Sequence, residues 1–142
     1  MSALRSRPTP LIEVVRRVPR PYVSAISYMR YRERAVAWRV EILNEAVAAE
    51  IAALPADMQA RFLRLAERIA LAGLHSMSEP HVRHLEGKLW ELRLIGRDGI
   101  ARALYVTATG RRVVVVRAFV KKSQKTPRDE IDLALRRARE IA

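Results

Sequence analysis

Four consecutive valines, Val113 to Val116, lie between Arg112 and Arg117 and run through Ala118-Phe119-Val120 into Lys121-Lys122-Ser123-Gln124-Lys125-Thr126-Pro127. No other stretch restricts the fold as strongly. A β-branched run this apolar reads as a strand inside a sheet, where branched side chains pack well on the pleated surface and gain by burial. Yet Arg111 to Arg128 holds seven Lys or Arg and no acid. Burying so cationic an exit without partners is costly, so this edge is expected to meet something anionic.

Glycine punctuation upstream sets the neighbours of that strand. Gly87, Gly96-Arg97-Asp98-Gly99 and Thr109-Gly110 separate strand-like segments at Val82 to Leu85, Leu89 to Ile95, Ile100 to Thr107 and Arg112 to Val120. Connections this short force antiparallel neighbours, hence a meander. Before it, Val36, Trp38, Val40 and Ile42 alternate with Ala37, Arg39 and Glu41 as a short strand. Leu43 to Leu54 then changes to helical spacing. Leu54-Pro55 breaks that helix, and a second, Ala56 to Ala72, aligns Met58, Phe62, Leu65, Ile69 and Ala72 before Gly73 stops it. Thr126 as N-cap, Pro127 at the first helical position and Asp129 three residues past the cap predict a last helix to Ile141, with Ile131, Leu135, Ala138 and Ile141 inward. The expectation is an α+β fold with a helix hairpin on one face of a mainly antiparallel sheet.

A chain of 142 residues holds one packed domain comfortably. Residues 1–35, with Pro8, Pro10, Pro19 and Pro21 and scattered arginines, read as a basic flexible arm ahead of a domain at 36–142. With no cysteine there is neither a disulfide framework nor thiolate redox chemistry. Charges interrupt every apolar run short of membrane-spanning length, and Glu13, Arg16 and Arg17 break up the N-terminal apolar residues, so a cytoplasmic protein is expected. The net charge of +12 attracts polyanions, and nucleic acid is the first candidate. Residues 83–128 concentrate that excess, with twelve basic side chains against Glu86, Glu91 and Asp98.

Side-chain alternation groups the charges further. Trp90, Leu92 and Leu94 face one way, and Glu91 and Arg93 the other. Arg102 opposes Ala101 and Ala103. In the last strand, Val114, Val116, Ala118 and Val120 form an apolar face, leaving Arg117, Phe119 and Lys121 on the second. Adjacent strands can therefore place Arg93, Arg102, Arg117, Phe119 and Lys121 on one open sheet face.

At these residues the sequence resembles a known family. HLEGKLWELR (84–93), IARALYV (100–106) and RAFVKKSQKTPRDEIDLALRR (117–137) look like HigB-type toxins, the phage-derived branch of the RelE superfamily of type II toxin-antitoxin systems. The resemblance covers about residues 36–142 and implies a RelE-like twisted, mainly antiparallel sheet with two N-terminal helices and a C-terminal helix. It also implies a ribosome-dependent mRNA endonuclease that uses no metal or other cofactor. The partners it implies are the ribosome, mRNA and a HigA-like helix-turn-helix antitoxin. Such cleavage turns the RNA's 2′-hydroxyl on the adjacent phosphate, so the protein supplies proton transfer and charge stabilisation. On that reading Arg93 and Arg102 are phosphate clamps, because a guanidinium fork bridges two phosphate oxygens. Lys121 or Lys122 is the general base, Phe119 or Tyr105 stacks on an unpaired base, and Arg117 and Lys125 contact RNA.

Other readings stand beside these. Arg93, Arg102 and Arg117 taken singly are equally readable as ion-paired with Glu91 and other carboxylates on a solvated face, and a lysine-rich edge also discourages sheet-edge pairing. Trp38 and Trp90 read as core aromatics. His75, His81 and His84 lack the helical spacing or cysteines of a zinc site. Asp129 and Glu130 suit a helix start. A different functional class is also open: a ParE-like toxin acting on DNA gyrase without nuclease residues, or a basic nucleic-acid-binding regulator.

Overall fold

The turns anticipated at Gly87, Gly96 to Gly99 and Gly110 all form in a computed structural model that describes Thr9, Pro10 and residues 38–141. Strands β1 (Thr9–Pro10) and β2 (Arg39–Ile42) precede helices α1 (Glu45–Ala52) and α2 (Ala56–Ala72). After a single 3-10 turn, strands β3 (Val82–Glu86), β4 (Leu89–Gly96), β5 (Gly99–Ala108) and β6 (Arg112–Val120) form the expected meander, and α3 (Arg128–Ala138) follows. The fold is α+β, as the pattern and the resemblance both implied.

The sheet runs β1-β2-β6-β5-β4-β3. Every pair is antiparallel except β2 with β6, which is parallel. The helix hairpin explains this exception. It carries the chain from β2 across one sheet face to the far edge at β3, and the meander then returns strand by strand until β6 lies beside β2. Of the arm expected at 1–35, only Thr9 and Pro10 are described, and they pair with Ile42 and Glu41. The rest of it, with Val36 and Ala37 of the expected first strand, lies outside the described residues.

Local chemistry sets the helix ends. Asn44 has extended backbone and its side-chain oxygen accepts from the Val47 N–H at 3.0 Å, capping α1. At the other end of α1, buried Gln59 donates its amide to the Ala52 and Leu54 carbonyls at 3.1 and 2.7 Å, satisfying acceptors the helix leaves orphaned. Asp57, in the first turn of α2, accepts from the Arg97 N–H at 2.6 Å and holds the β4–β5 turn. This close approach is why Gly96 has no side chain: a Cβ there stands 2.7 Å from the Asp57 carboxylate and 2.8 Å from Met58 Cγ. Met58, Phe62, Leu65 and Ile69 of α2 join Val47 and Ile51 of α1 against Leu92, Leu94, Ala101 and Ala103 in the core. Ala72, expected on that stripe, is exposed at the last turn.

The expected facing of the last strand holds only in part. Leu104 pairs with Arg117 but Tyr105 pairs with Val115, so Val116 is an extra residue, a β-bulge. Beyond the bulge, Val115 and Val113 follow Tyr105 and Thr107, while Val114 follows Val106 onto the opposite face. All four valines are nevertheless fully buried. Both faces are covered here, one by the helix hairpin and the other by α3. Val120, also expected inside, is 39% exposed beyond that cover.

Two smaller expectations are corrected. Trp38 packs partly buried against the core, but Trp90 is 37% exposed and meets the His84 ring edge-on at 4.9 Å. It sits at the start of β4, beside the Gly87 turn and the register shift of β3 between His84 and Glu86. Thr126 does not cap α3. Pro127 occupies that position without a side-chain hydrogen bond, and Arg128 is the first helical residue.

Candidate nucleic-acid interface

The register brings the sheet arginines together. Arg93 of β4 pairs with Arg102 of β5, which pairs with Phe119 of β6; one step along, Arg83 pairs with Glu91, Glu91 with Leu104, and Leu104 with Arg117. Directly paired antiparallel residues point the same way, so Arg83, Arg93, Arg102, Arg117 and Phe119 share one sheet face. Arg83 was not singled out in the sequence, because β3 alternates weakly and its register shifts after His84.

That face is not open. The basic loop from Lys121 to Pro127 leaves β6 with the Lys121 N–H on the Ile100 carbonyl at 2.8 Å and folds back across the sheet. Arg102 Nη2 donates to the Gln124 carbonyl and Nη1 to Thr126 Oγ1, both at 2.5 Å. Thr126 Oγ1 in turn donates to Glu91 Oε2 at 2.7 Å. At the far side, Arg128 grips Glu86 of β3 through two bonds of 2.6 and 2.9 Å and reaches Asp132 at 2.9 Å. Arg102 is 2% exposed and Glu91 1%. The solvent-facing phosphate clamp expected of Arg102 is thus replaced by a buried anchor for the loop that carries the lysines. Burial lowers the Arg102 pKa from its usual range; Glu91 opposes that shift, and the nearby Arg93 and Arg83 charges add to it.

Arg117 is also engaged. Its Nε and Nη2 meet the two Glu130 oxygens at 2.5 and 3.2 Å, its Nη1 lies 3.1 Å from Glu50, and its guanidinium stands 5.4 Å from the Phe119 ring centre. Glu130 therefore does more than complement a helix start. Glu50 and Arg137 finish the edge that short β2 leaves bare at the bulge: Glu50 accepts the Ala118 N–H, and Arg137 donates to the Val116 carbonyl at 2.9 Å and to Glu50. Burial alone would raise the Glu50 pKa, but hydrogen bonds from Arg137, Arg117 and the Ala118 N–H bring it below its usual value. Glu130 raises the Arg117 pKa against burial.

What stays available to an external anion is a smaller set. Arg93 is half-buried and Arg83 exposed, and among the described residues neither makes an ion pair. Lys122 and Lys125 are exposed without side-chain partners among those residues. Lys121 is half-buried with Nζ 3.4 Å from Gln124 Oε1, and Phe119 is half-buried. Tyr105, expected to stack on a base, is 1% exposed inside the core, and burial pushes its phenol pKa well up. No group of three or more metal-ligating side chains forms among the described residues. None of their helices is long and apolar enough to cross a membrane.

The sequence pattern did not single out Glu50, Gln124 or Arg83 and gave Thr126 and Glu130 helix-start roles only, whereas Glu91 was open as an ion-pair partner of the arginines and is one for Arg102, buried rather than on a solvated face. The available signal was scarcity: three acids in a basic window are predisposed to pair. Among families, the model described as phage derived protein Gp49-like (DUF891) matches residues 49–139. No curated protein matches the chain.

Proposed function

Because the chain belongs to the phage-derived Gp49-like family, a family of RelE/HigB-like toxins whose members imply an antitoxin partner, we propose that it is a ribosome-dependent mRNA endonuclease of a type II toxin-antitoxin system. The observation carrying this reading is the cationic loop Lys121 to Lys125, tied to the sheet by buried Arg102 while Lys122 and Lys125 stay exposed and Arg93, on the same sheet face, makes no ion pair among the described residues. Preorganised cations are what a phosphorane needs, since their alignment is settled during folding rather than during the reaction. In this scheme the 2′-hydroxyl attacks its own 3′-phosphate as the P–O5′ bond breaks, leaving a 2′,3′-cyclic phosphate; Lys121 or Lys122 takes the 2′ proton, the departing 5′-oxygen is protonated from water, and Arg93 bridges the non-bridging phosphate oxygens. Phe119 stacks on an unpaired base, Lys125 contacts the RNA backbone, and a helix-turn-helix antitoxin covers the basic surface.

The test is purified protein added to programmed ribosomes, with the mRNA 5′ ends mapped. New ends within the translated frame are expected. Intact mRNA beside a relative that cuts it sinks the proposal. One observation favours a second reading, a ParE-like toxin acting on gyrase: Arg102 and Arg117 are absorbed in internal ion pairs, which leaves few groups for phosphate chemistry. Growth arrest with DNA-damage signalling and unaltered mRNA would select it.

A further inference from the structure

On the β3–β4 side of the loop, Glu79, Pro80, Val82, Arg83 and Arg93 line a pocket of about 350 Å³. Among the arginines that β4, β5 and β6 place on this sheet face, Arg102, Arg112 and Arg117 have carboxylates, whereas Arg93, and Arg83 of neighbouring β3, have none among the described residues. Glu79, in the pocket wall, pairs with neither. Arg93 Nε is buried without an acceptor among the described residues, an arrangement that costs free energy until an anion neutralises the guanidinium. Glu91, on the same face, makes no ion pair with Arg93; it accepts from Thr126 and faces Arg102 instead.

We propose that this pocket is a phosphate-binding subsite for single-stranded RNA, with Arg83 and Arg93 as a two-guanidinium clamp on one backbone phosphate. The proposal rests on the RNA-cleavage reading and adds Arg83 to it. A phosphodiester offers two unesterified oxygens, which suits two forks converging from adjacent strands about 4.8 Å apart. RNA is favoured over an acidic peptide by continuity. The loop lysines lie across the next strands of the same face, so a phosphate held here leaves the chain running toward Lys122 and Lys125.

Fluorescence anisotropy of a labelled short oligoribonucleotide, titrated without ribosomes at several salt concentrations, tests the pocket independently of cleavage. Arg83→Gln is expected to weaken binding about tenfold and to reduce the salt slope by about one. Arg64→Gln, which removes an exposed arginine from α2, is expected to change the slope far less. Equal effects of the two variants overturn the proposal, since only net charge would then matter. It is also overturned if Arg83→Gln leaves RNA binding intact but weakens binding of the antitoxin. Cleavage by programmed ribosomes is scored separately. Intact mRNA with a normal Arg83 response sinks the nuclease reading alone, whereas cut mRNA without that response sinks the pocket alone.

Discussion

Glu91 and Arg102 stand diagonally across β4 and β5 with Arg102 Nε 3.7 Å from Glu91 Oε2, too far for a hydrogen bond, and the Thr126 hydroxyl joins them by accepting from one and donating to the other. A single hydroxyl from the basic loop thus completes a buried ion pair of the sheet. Loop position and core electrostatics are coupled through it.

Thr126→Val keeps the shape and removes the hydroxyl. Glu91 and Arg102 then each lose a hydrogen bond inside the protein, which is expected to cost about 1–3 kcal/mol. Urea unfolding measures this, and Thr126→Ser should retain most of the stability. A loss below the error of the denaturation curves would show that the bridge carries no energy.

Removing the charge of Glu91 is expected to do more damage. Glu91→Gln leaves Arg102 buried without a carboxylate, at about 3–5 kcal/mol. The double replacement Glu91→Met with Arg102→Met should recover much of that loss in stability while freeing the loop. Unfolding midpoints of the two variants decide the matter; a double variant no better than Glu91→Gln would sink this account.

Glu50 links stability to pH. Its folded pKa lies below the usual 4.5, so its contribution is present above about pH 4.5 and is lost as pH falls through the folded value. Urea midpoints should therefore drop on acidification through this range. Glu50→Gln should lower stability at neutral pH and flatten that acid slope. A variant with an unchanged slope would show that other carboxylates govern the acid limb.

Gly96→Ala forces a methyl to within 3 Å of Asp57 and Met58. Separation of α2 from the β4–β5 turn should cost about 1–3 kcal/mol, read as a lower thermal midpoint. An unshifted midpoint would mean that the helix start yields without loss.

Activity and stability should separate at the cations that make no ion pair among the described residues. Arg93→Ala and Lys122→Ala are expected to reduce mRNA cleavage about a hundredfold or more with little change in melting temperature, because neither side chain has a partner among the described residues. Tyr105→Phe should leave cleavage unchanged, since the hydroxyl is inside the core. Cleavage lost with Tyr105→Phe and kept with Arg93→Ala would reverse the assignment.

Element positions were legible because their signals are local. Glycines at Gly87, Gly96, Gly99 and Gly110 delimit the strands, helical spacing over Ala56–Ala72 matches α2 to the residue, and alternation placed Arg93, Arg102 and Phe119 on one face. The candidate site was less legible. The fates of Arg102 and Arg117 depend on Glu91, Glu50 and Glu130, of which the first two are 11 and 67 residues away in the chain by numbering. No periodicity encodes such encounters.

The sequence by itself determined a meander of strands, a covering helix hairpin, a closing helix and a strong positive charge near the last strand, because turns and side-chain periods act over a few residues. Only the tertiary structure decided the parallel contact of β2 with β6, the bulge at Val116 that splits the valines between two faces, and the capture of Thr126 by Arg102 and Glu91. These follow from which distant segments the sheet order brings side by side. Burial then requires each charge so enclosed to find a partner, and that requirement separates the arginines that hold the loop from those left free beside it.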